Sequence, residues 1–435
     1  GDVARPSGPA ALHVRRPQEN PNARGGAPLP SGEAHFFRSL LAGVSSEREV
    51  SFLVTGVLTL IGTVSEERST YLPSSMRLPP FLVELLVLVF HLSACDAFVA
   101  AACKEEEVSS LVEGILHVAL QAHEHVQEET VAMVAWGTVL RLTAYREVCG
   151  ALNEDFTGEV PDDLSDFEGT LADFVGLAAL KQAGDLLITA QVSPLHRTLV
   201  ELQLCALANI STFAEGFNME TCFRLFALLE RCGKPQQVRK GRDGVAAWLP
   251  ILVEVLENVL QYQYGSNANL AYGIMTRRVV FRELLDCCLE QLALAEKDGP
   301  ASLTNGHASG DAPVPPAKWW RDLSTRVQII YSLIELVVPQ LEAEVERKDI
   351  SNPEEAKALL PRCVLGMLPP PHLFVMRSMV GNQGSHRACE HCLIASLASG
   401  PSGGLWETEE AGEAGEEEEP KKSPGARARS TSRRQ

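Results

Sequence analysis

The chain has 435 residues, a formal net charge of -18, and 45% hydrophobic but only 6% aromatic residues. That length holds two or three ordinary domains or one repeat array, and a core built from Leu, Val and Ala suits packed helices better than a β-sandwich. The acidic balance excludes nucleic-acid backbone binding as the main role.

Residues 1–32 are rich in Pro, Gly, Ala and Arg without periodicity and read as a disordered segment. From 33 to 297 apolar residues recur at three- and four-residue spacing, which predicts helices at 34–43, 47–64, 79–101, 106–122, 127–149, 169–182, 193–211, 217–232, 244–262 and 275–296. In the second of these, Phe52, Leu53, Gly56, Val57, Leu60 and Ile61 form the expected apolar stripe, with Glu47 and Glu49 in the first turn, where the helix dipole favours carboxylates. An acidic loop, 153–168, joins two helices. Residues 298–317 are Gly-, Ser-, Ala- and Pro-rich and read as a linker. Helices resume at 323–347 and 353–366 within a C-terminal helical part, 318–387. Residues 388–435 form a disordered tail, first acidic and then basic. Helices paired about 40 residues apart, with no alternating strand pattern, predict an all-α fold: an irregular HEAT/armadillo-like helical solenoid with disordered termini and one long internal linker.

The 11 cysteines are scattered through apolar helical runs, as buried thiols of a reducing compartment are, rather than forming a disulfide framework. No segment reads as a membrane span, since the most apolar run, 81–90, is half the required length of about 20 residues. The N-terminus has neither a signal core nor a myristoylation pattern, because Arg5 stands where Ser or Thr is needed.

Ligand chemistry is sparse. His386-Arg387-Ala388-Cys389-Glu390-His391-Cys392 contains a Cys-x-x-Cys, but a structural zinc site needs four converging ligands and the second knuckle is absent. A zinc or redox enzyme built on Cys389 and Cys392 is therefore a minor competing reading. His117 and His123 are six apart and do not share a helix face. No Gly-x-Ser-x-Gly nucleophile motif occurs. The sequon Asn209-Ile210-Ser211 reads as helix-end capping. No catalytic, cofactor-binding or metal-binding residue is assigned, and no cofactor is expected.

The most informative stretch is 258–278, polar and aromatic within apolar surroundings. One reading makes it a helix end, with Gly265 as the C′ residue and Asn267 capping the next turn. The other makes it a partner-binding surface of Gln261, Tyr262, Tyr264, Asn267, Asn269, Arg277 and Arg278, joined by Pro369, Pro371 and His372. In that reading Arg277 and Arg278 form a basic spot for lipid phosphate or an acidic partner.

Gln261-Tyr262-Gln263 with Asn267-Ala268-Asn269-Leu270 resembles the hallmark of the dymeclin family, in its high-temperature-induced dauer formation branch. Further motifs follow in family order. They are Glu49-Val50-Ser51-Phe52-Leu53-Val54-Thr55-Gly56 with Thr70-Tyr71-Leu72-Pro73, then Glu84-Leu85-Leu86-Val87-Leu88, then Phe167-Glu168-Gly169-Thr170-Leu171-Ala172-Asp173. Leu336-Val337-Val338-Pro339-Gln340 and Gly366-Met367-Leu368-Pro369-Pro370-Pro371-His372 close the series, so the likeness spans about 34–387 and corresponds to the C-terminal half of a typical member. The resemblance implies a non-enzymatic, peripheral protein on the cytosolic face of the Golgi. It implies work in trans-Golgi cargo sorting and vesicle formation through protein partners of the trafficking machinery, with peripheral membrane association and no nucleic acid. The alternative is a soluble cytosolic or nuclear armadillo/HEAT-type adaptor with no Golgi role.

Overall fold

The computed structural model describes residues 46–66, 81–104, 107–124, 129–158, 160, 164, 167–188, 193–240, 244–298, 315–364, 366–368 and 376–378. All belong to the first of the two units into which the chain divides, Gly1–Ala398 rather than Ser399–Gln435. The predicted helix at 34–43 lies outside the described residues, as does most of the 298–317 linker.

The helices are α1 (Glu47–Glu66), α2 (Leu82–Leu92), α3 (Asp96–Lys104), α4 (Val108–Glu124), α5 (Glu129–Leu142), α6 (Arg146–Ala151), α7 (Leu171–Ile188) and α8 (Pro194–Ser211). They continue with α9 (Met219–Cys232), α10 (Pro235–Lys240), α11 (Val245–Asn258), α12 (Ala268–Thr276), α13 (Arg278–Asp298), α14 (Ala317–Lys348) and α15 (Pro353–Val364). Among the described residues the only bridge pairing is a lone antiparallel one, Asp155 with Thr170. The fold is all-α.

Local chemistry sets several boundaries. Ser193 Oγ accepts from His196 N at 3.1 Å and Pro194 follows at the first helical position, so α8 starts with its free N–H groups served. Asn218 caps α9 in the same way, accepting from Thr221 N at 2.8 Å. At the far end of α14, Asp349 turns left-handed (φ 54°) and stops the helix.

The stack has two rows. In the first, α2 packs on α5, α5 on α8, α8 on α11 and α11 on α14; in the second, α1 packs on α4, α4 on α7, α7 on α9 and α9 on α12. Cross-pairs such as α4 with α5, α7 with α8 and α9 with α11 close one continuous apolar core between the rows. This is a helical solenoid. A single buried glutamine rivets four of its members. Gln182 Oε1 (α7) accepts from Trp136 Nε1 (α5) at 2.7 Å and from Gln203 Nε2 (α8) at 2.8 Å, while Gln182 Nε2 donates to Ala119 O (α4) at 3.1 Å. Both lone pairs of that carbonyl are used, which keeps a polar group tolerable in the core.

Four expectations are corrected. The predicted helix 79–101 is two, α2 and α3, bent by 97°. Asp96 starts the second and accepts from Tyr145 Oη at 2.8 Å, and Ser93 Oγ donates to Phe90 O at 2.9 Å to satisfy the broken end. The predicted 127–149 likewise breaks into α5 and α6. On α1 the buried stripe is Val50, Val54, Val57 and Ile61, whereas Phe52 is 76% exposed and Leu60 lies outside as well. The helix is apolar on more than one face, so spacing alone does not choose which one α3 and α4 cover. The expectation that no stretch is long enough to span a bilayer also changes: Val245–Gln263 is long and apolar enough by length and composition, though 83% of it is buried within the stack.

Candidate functional site

The signature stretch begins where α11 changes its winding. Residues Val259–Gln263 form a π turn, with all five side chains buried, including Gln261, Tyr262 and Gln263. A π turn holds one more residue per hydrogen-bonded ring than an α turn, and such turns concentrate where a helix must present side chains it otherwise would not.

On and around this turn stand amides aimed at the end of α8 and at the loop between α8 and α9. Asn258 Nδ2 donates to Ala208 O at 3.0 Å and to Ser211 Oγ at 3.1 Å, and Gln263 Nε2 donates to Thr212 O at 3.0 Å. Asn267 uses both ends: Nδ2 donates to Ala214 O at 2.7 Å while Oδ1 accepts from Phe217 N at 2.8 Å. From the other side of the loop, Asn153 Nδ2 donates to Phe213 O at 3.0 Å and Oδ1 accepts from Glu215 N at 2.9 Å. Asp173 Oδ2 then accepts from Asn218 N at 3.1 Å. A connection threaded between apolar helices carries backbone groups that water cannot reach, and each must find a partner. Asn and Gln carry a donor and an acceptor on one short stem, which is why this ladder is built from them. Burial pushes the Asp173 carboxyl up to about 7, against the pull of its hydrogen bonds.

A second polar cluster sits on the first row. Glu254 and Glu257 project from α11. Arg326 of α14 donates from Nη1 to Glu254 Oε2 at 3.0 Å and to Glu257 Oε2 at 3.1 Å. Arg377 comes from the short segment 376–378. Its Nε donates to Glu254 Oε1 at 3.1 Å and its Nη2 to Glu254 Oε2 at 2.7 Å. The same residue is held by its main chain on Asn209 of α8. Burial works against the Glu254 charge, but the hydrogen bonds and charges of Arg377 and Arg326 outweigh it and hold this carboxyl below its ordinary value. Glu257 has Arg326 alone, and burial pushes it up to about 7, with the Glu254 charge adding to the rise.

The sequence-derived surface is only partly a surface. Gln261, Tyr262 and Asn267 are buried, because the π turn and the ladder draw them inward. The helix does end here, with Gly265 next after the Tyr264 cap and Asn267 at the N-cap position of α12, but Gly265 lacks a positive φ and the Asn267 side chain makes no capping bond. Tyr264 and Asn269 are half-buried, and Asn269 Oδ1 accepts from Lys357 Nζ at 2.9 Å. Arg277 and Arg278 do lie at the rim, but both are engaged. Arg277 Nε donates to Glu230 Oε1 at 2.9 Å and its guanidinium lies 4.0 Å over the Phe226 ring, while Arg278 pairs with Glu335. Pro369, Pro371, His372 and the His386–Cys392 cluster lie outside the described residues. His117 is buried with Nδ1 3.0 Å from Glu113 O, a structural contact. Asn209 is fully buried and grips Arg377 rather than capping its helix. Among the described residues no group of three or more His, Cys, Asp or Glu is placed to hold a metal ion. Sequence reasoning passed over Asn153, Glu254, Glu257, Arg326 and Arg377. The pair Glu254 and Glu257, three apart inside an apolar run, was the signal available.

Across residues 10–383 the chain matches the family described as Dymeclin: Dyggve-Melchior-Clausen syndrome protein. It belongs to the Dymeclin family. Within that family it is similar to Protein HID1 of Mus musculus, 28% identical over 258 residues, and to Protein HID1 of Homo sapiens, 27% identical over 258 residues. Each match covers 59% of this chain and 31% of the relative. Protein HID1 of Dictyostelium discoideum is 26% identical over 159 residues, 36% of this chain and 17% of the relative. The matched region thus spans about a third of the mouse and human relatives. No solved structure matches the chain. The buried amide ladder therefore falls within the Dymeclin match, and the signature residues Gln263 and Asn267 belong to it.

Proposed function

We propose that this Dymeclin-family chain is part of a non-enzymatic, peripheral scaffold on the cytosolic face of the Golgi, working in trans-Golgi cargo sorting and vesicle formation through protein partners. The observation that carries the reading is the Dymeclin match over residues 10–383, borne on a two-row helical stack. Stacked helix pairs offer long, rigid outer faces for protein contacts, and they do so without an active-site cleft. The polar side chains at its centre hold helices and loops together, as a scaffold requires. The apolar stretch Val245–Gln263 is spent inside the stack, in keeping with attachment to a membrane surface rather than passage through it.

The test is to tag the protein at its native locus, image it against Golgi markers, and extract membranes with alkaline carbonate. Golgi staining that carbonate removes is the expected result. Diffuse cytosolic or nuclear staining overturns the Golgi role in favour of a soluble adaptor, and resistance to carbonate overturns peripheral attachment.

A further inference from the structure

The grip on Arg377 differs in kind from the ladder around it. One side-chain amide meets both polar groups of one residue's main chain: Arg377 N donates to Asn209 Oδ1 at 2.7 Å, and Asn209 Nδ2 donates to Arg377 O at 2.9 Å. Residues 376–378 are in neither helix nor turn, so these groups have no regular partner within their own segment. An amide used this way recognises a main chain whatever its sequence. The side chain is read separately. Glu254 takes Nε and Nη2 on its two oxygens, a forked pairing that arginine makes and lysine cannot. Cys205 Sγ, one turn from Asn209 on α8, accepts from Nη1 at 3.8 Å, and Met376 packs on the apolar core.

Every group doing the reading stands on α8 or α11, which pack on each other within the first row. The site is thus a formed part of the stack and the segment is its occupant. Electrostatics fix what else can occupy it. Glu254 and Glu257 face Arg326 and Arg377, and their side chains are only 10% and 4% exposed. With Arg377 removed, two carboxyls face one guanidinium, and the buried charge is relieved either by another cation or by a proton on a carboxyl.

We propose that Asn209, Cys205 and Glu254 form a recognition site for an arginine within a non-helical, extended segment of a partner protein, and that Arg377 fills it in cis as an intramolecular competitor. The inference stands on this geometry and does not depend on a Golgi location. A suitable segment has an arginine whose N–H and C=O are both free, preceded by an apolar residue in the place of Met376. Opening the site means exchanging one arginine for another, with Arg326 holding the carboxylates in between.

The test uses the full 435-residue chain and a labelled peptide, Phe-Val-Met-Arg-Ser-Met-Val, copied from its own residues 374–380 and followed by fluorescence anisotropy. Saturable binding is expected to the Arg377→Ala chain and none in the same range to the wild type, whose site is filled. Adding Glu254→Gln or Asn209→Ala to Arg377→Ala is expected to weaken that binding by at least about 30-fold, as is alanine in place of the peptide's arginine. Circular dichroism establishes that each chain is folded. Arg377→Lys, which keeps a cation in the cluster but lacks the fork, is the substitute should Arg377→Ala not fold. Peptide binding that is equal in wild type and variant, absent from both, or indifferent to the arginine overturns the proposal. So does failure of both variants to fold, since Arg377 would then be a structural tie.

Discussion

Replacing Asn267 by alanine removes a side chain that is 1% exposed and leaves two loop groups stranded, Ala214 O and Phe217 N. Neither is placed to meet water, because Ala214 and Phe217 are themselves buried, at 0% and 3% exposed. Each unsatisfied buried group costs about 1–3 kcal/mol, so the substitution is expected to destabilise this region by about 2–6 kcal/mol. Asn267→Asp is expected to be no better. It keeps an acceptor for Phe217 N but sets a second oxygen against Ala214 O and buries a charge. The half-buried Asn269 makes only a 3.4 Å bond to Phe217 O but also accepts from the buried Lys357 Nζ at 2.9 Å, so Asn269→Ala is expected to cost about 1.5–3 kcal/mol without exposing Phe217 N. Arrays of stacked helices need not unfold in one step, so a single melting curve is a poor witness. Amide hydrogen exchange is better suited, read at Phe217 and its neighbours with the urea midpoint beside it. Loss of protection at residues 212–218 together with a lowered midpoint is expected. An Asn267→Ala chain with Phe217 still protected and a midpoint like the wild type's refutes the claim that this part of the signature holds the loop.

Gly273→Ala brings a methyl to 2.3 Å from Cε2 of Phe226, a ring that is itself buried beneath the Arg277 guanidinium, so overpacking is expected to cost about 1–3 kcal/mol. Gly184→Ala, with nothing within 4 Å, is expected to gain up to about 1 kcal/mol from helix propensity, and thermal melts of the two should move in opposite directions. Glu257 is raised by burial from its ordinary 4.5 to about 7, so the folded chain keeps a proton that the unfolded chain releases. Stability is therefore expected to be full below about 4.5 and to fall as pH rises through about 7, with Asp173 adding in the same sense. Glu257→Gln should flatten that slope in denaturant titrations, and an unchanged slope refutes the assignment; Glu254, held below its ordinary value, acts outside this window. Burial pushes the thiols of Cys205, Cys222, Cys232 and Cys288 up to about 12, so iodoacetamide on the native chain should label half-exposed Cys95 and Cys103 well before these four, as read by peptide mass spectrometry.

The helices were legible because a helix buried on one side writes its period into the sequence, and most boundaries followed. The breaks were not. Ser93, Ala94 and Cys95 carry no proline or glycine, so the 97° corner is imposed by what Asp96 and Ser93 bond to in space. Likewise, the polarity of residues 258–269 was visible as an anomaly, but polarity does not say which way a side chain points. A partner-binding surface needs these side chains outward, whereas the π turn sends Gln261, Tyr262 and Gln263 inward. Glu254 and Glu257 in an apolar run signalled a buried charge, yet their partners lie 72 and 123 residues further on for Glu254 and 69 for Glu257. Local rules cannot choose among the arginines of a chain at that distance.

The π turn also makes chain length adjustable at one place in the stack. Because it accommodates one residue more than an α turn, removing one of Val259–Gln263 would let the helix close as ordinary α-helix. Everything beyond would keep its facing, since the wide turn had already absorbed the added residue. The same deletion inside an ordinary α-helix such as α8 would leave everything beyond rotated by about 100°, the angle of a single helical step. In this stretch, a one-residue gap in a relative alters the winding of the helix while Asn267 still meets its loop.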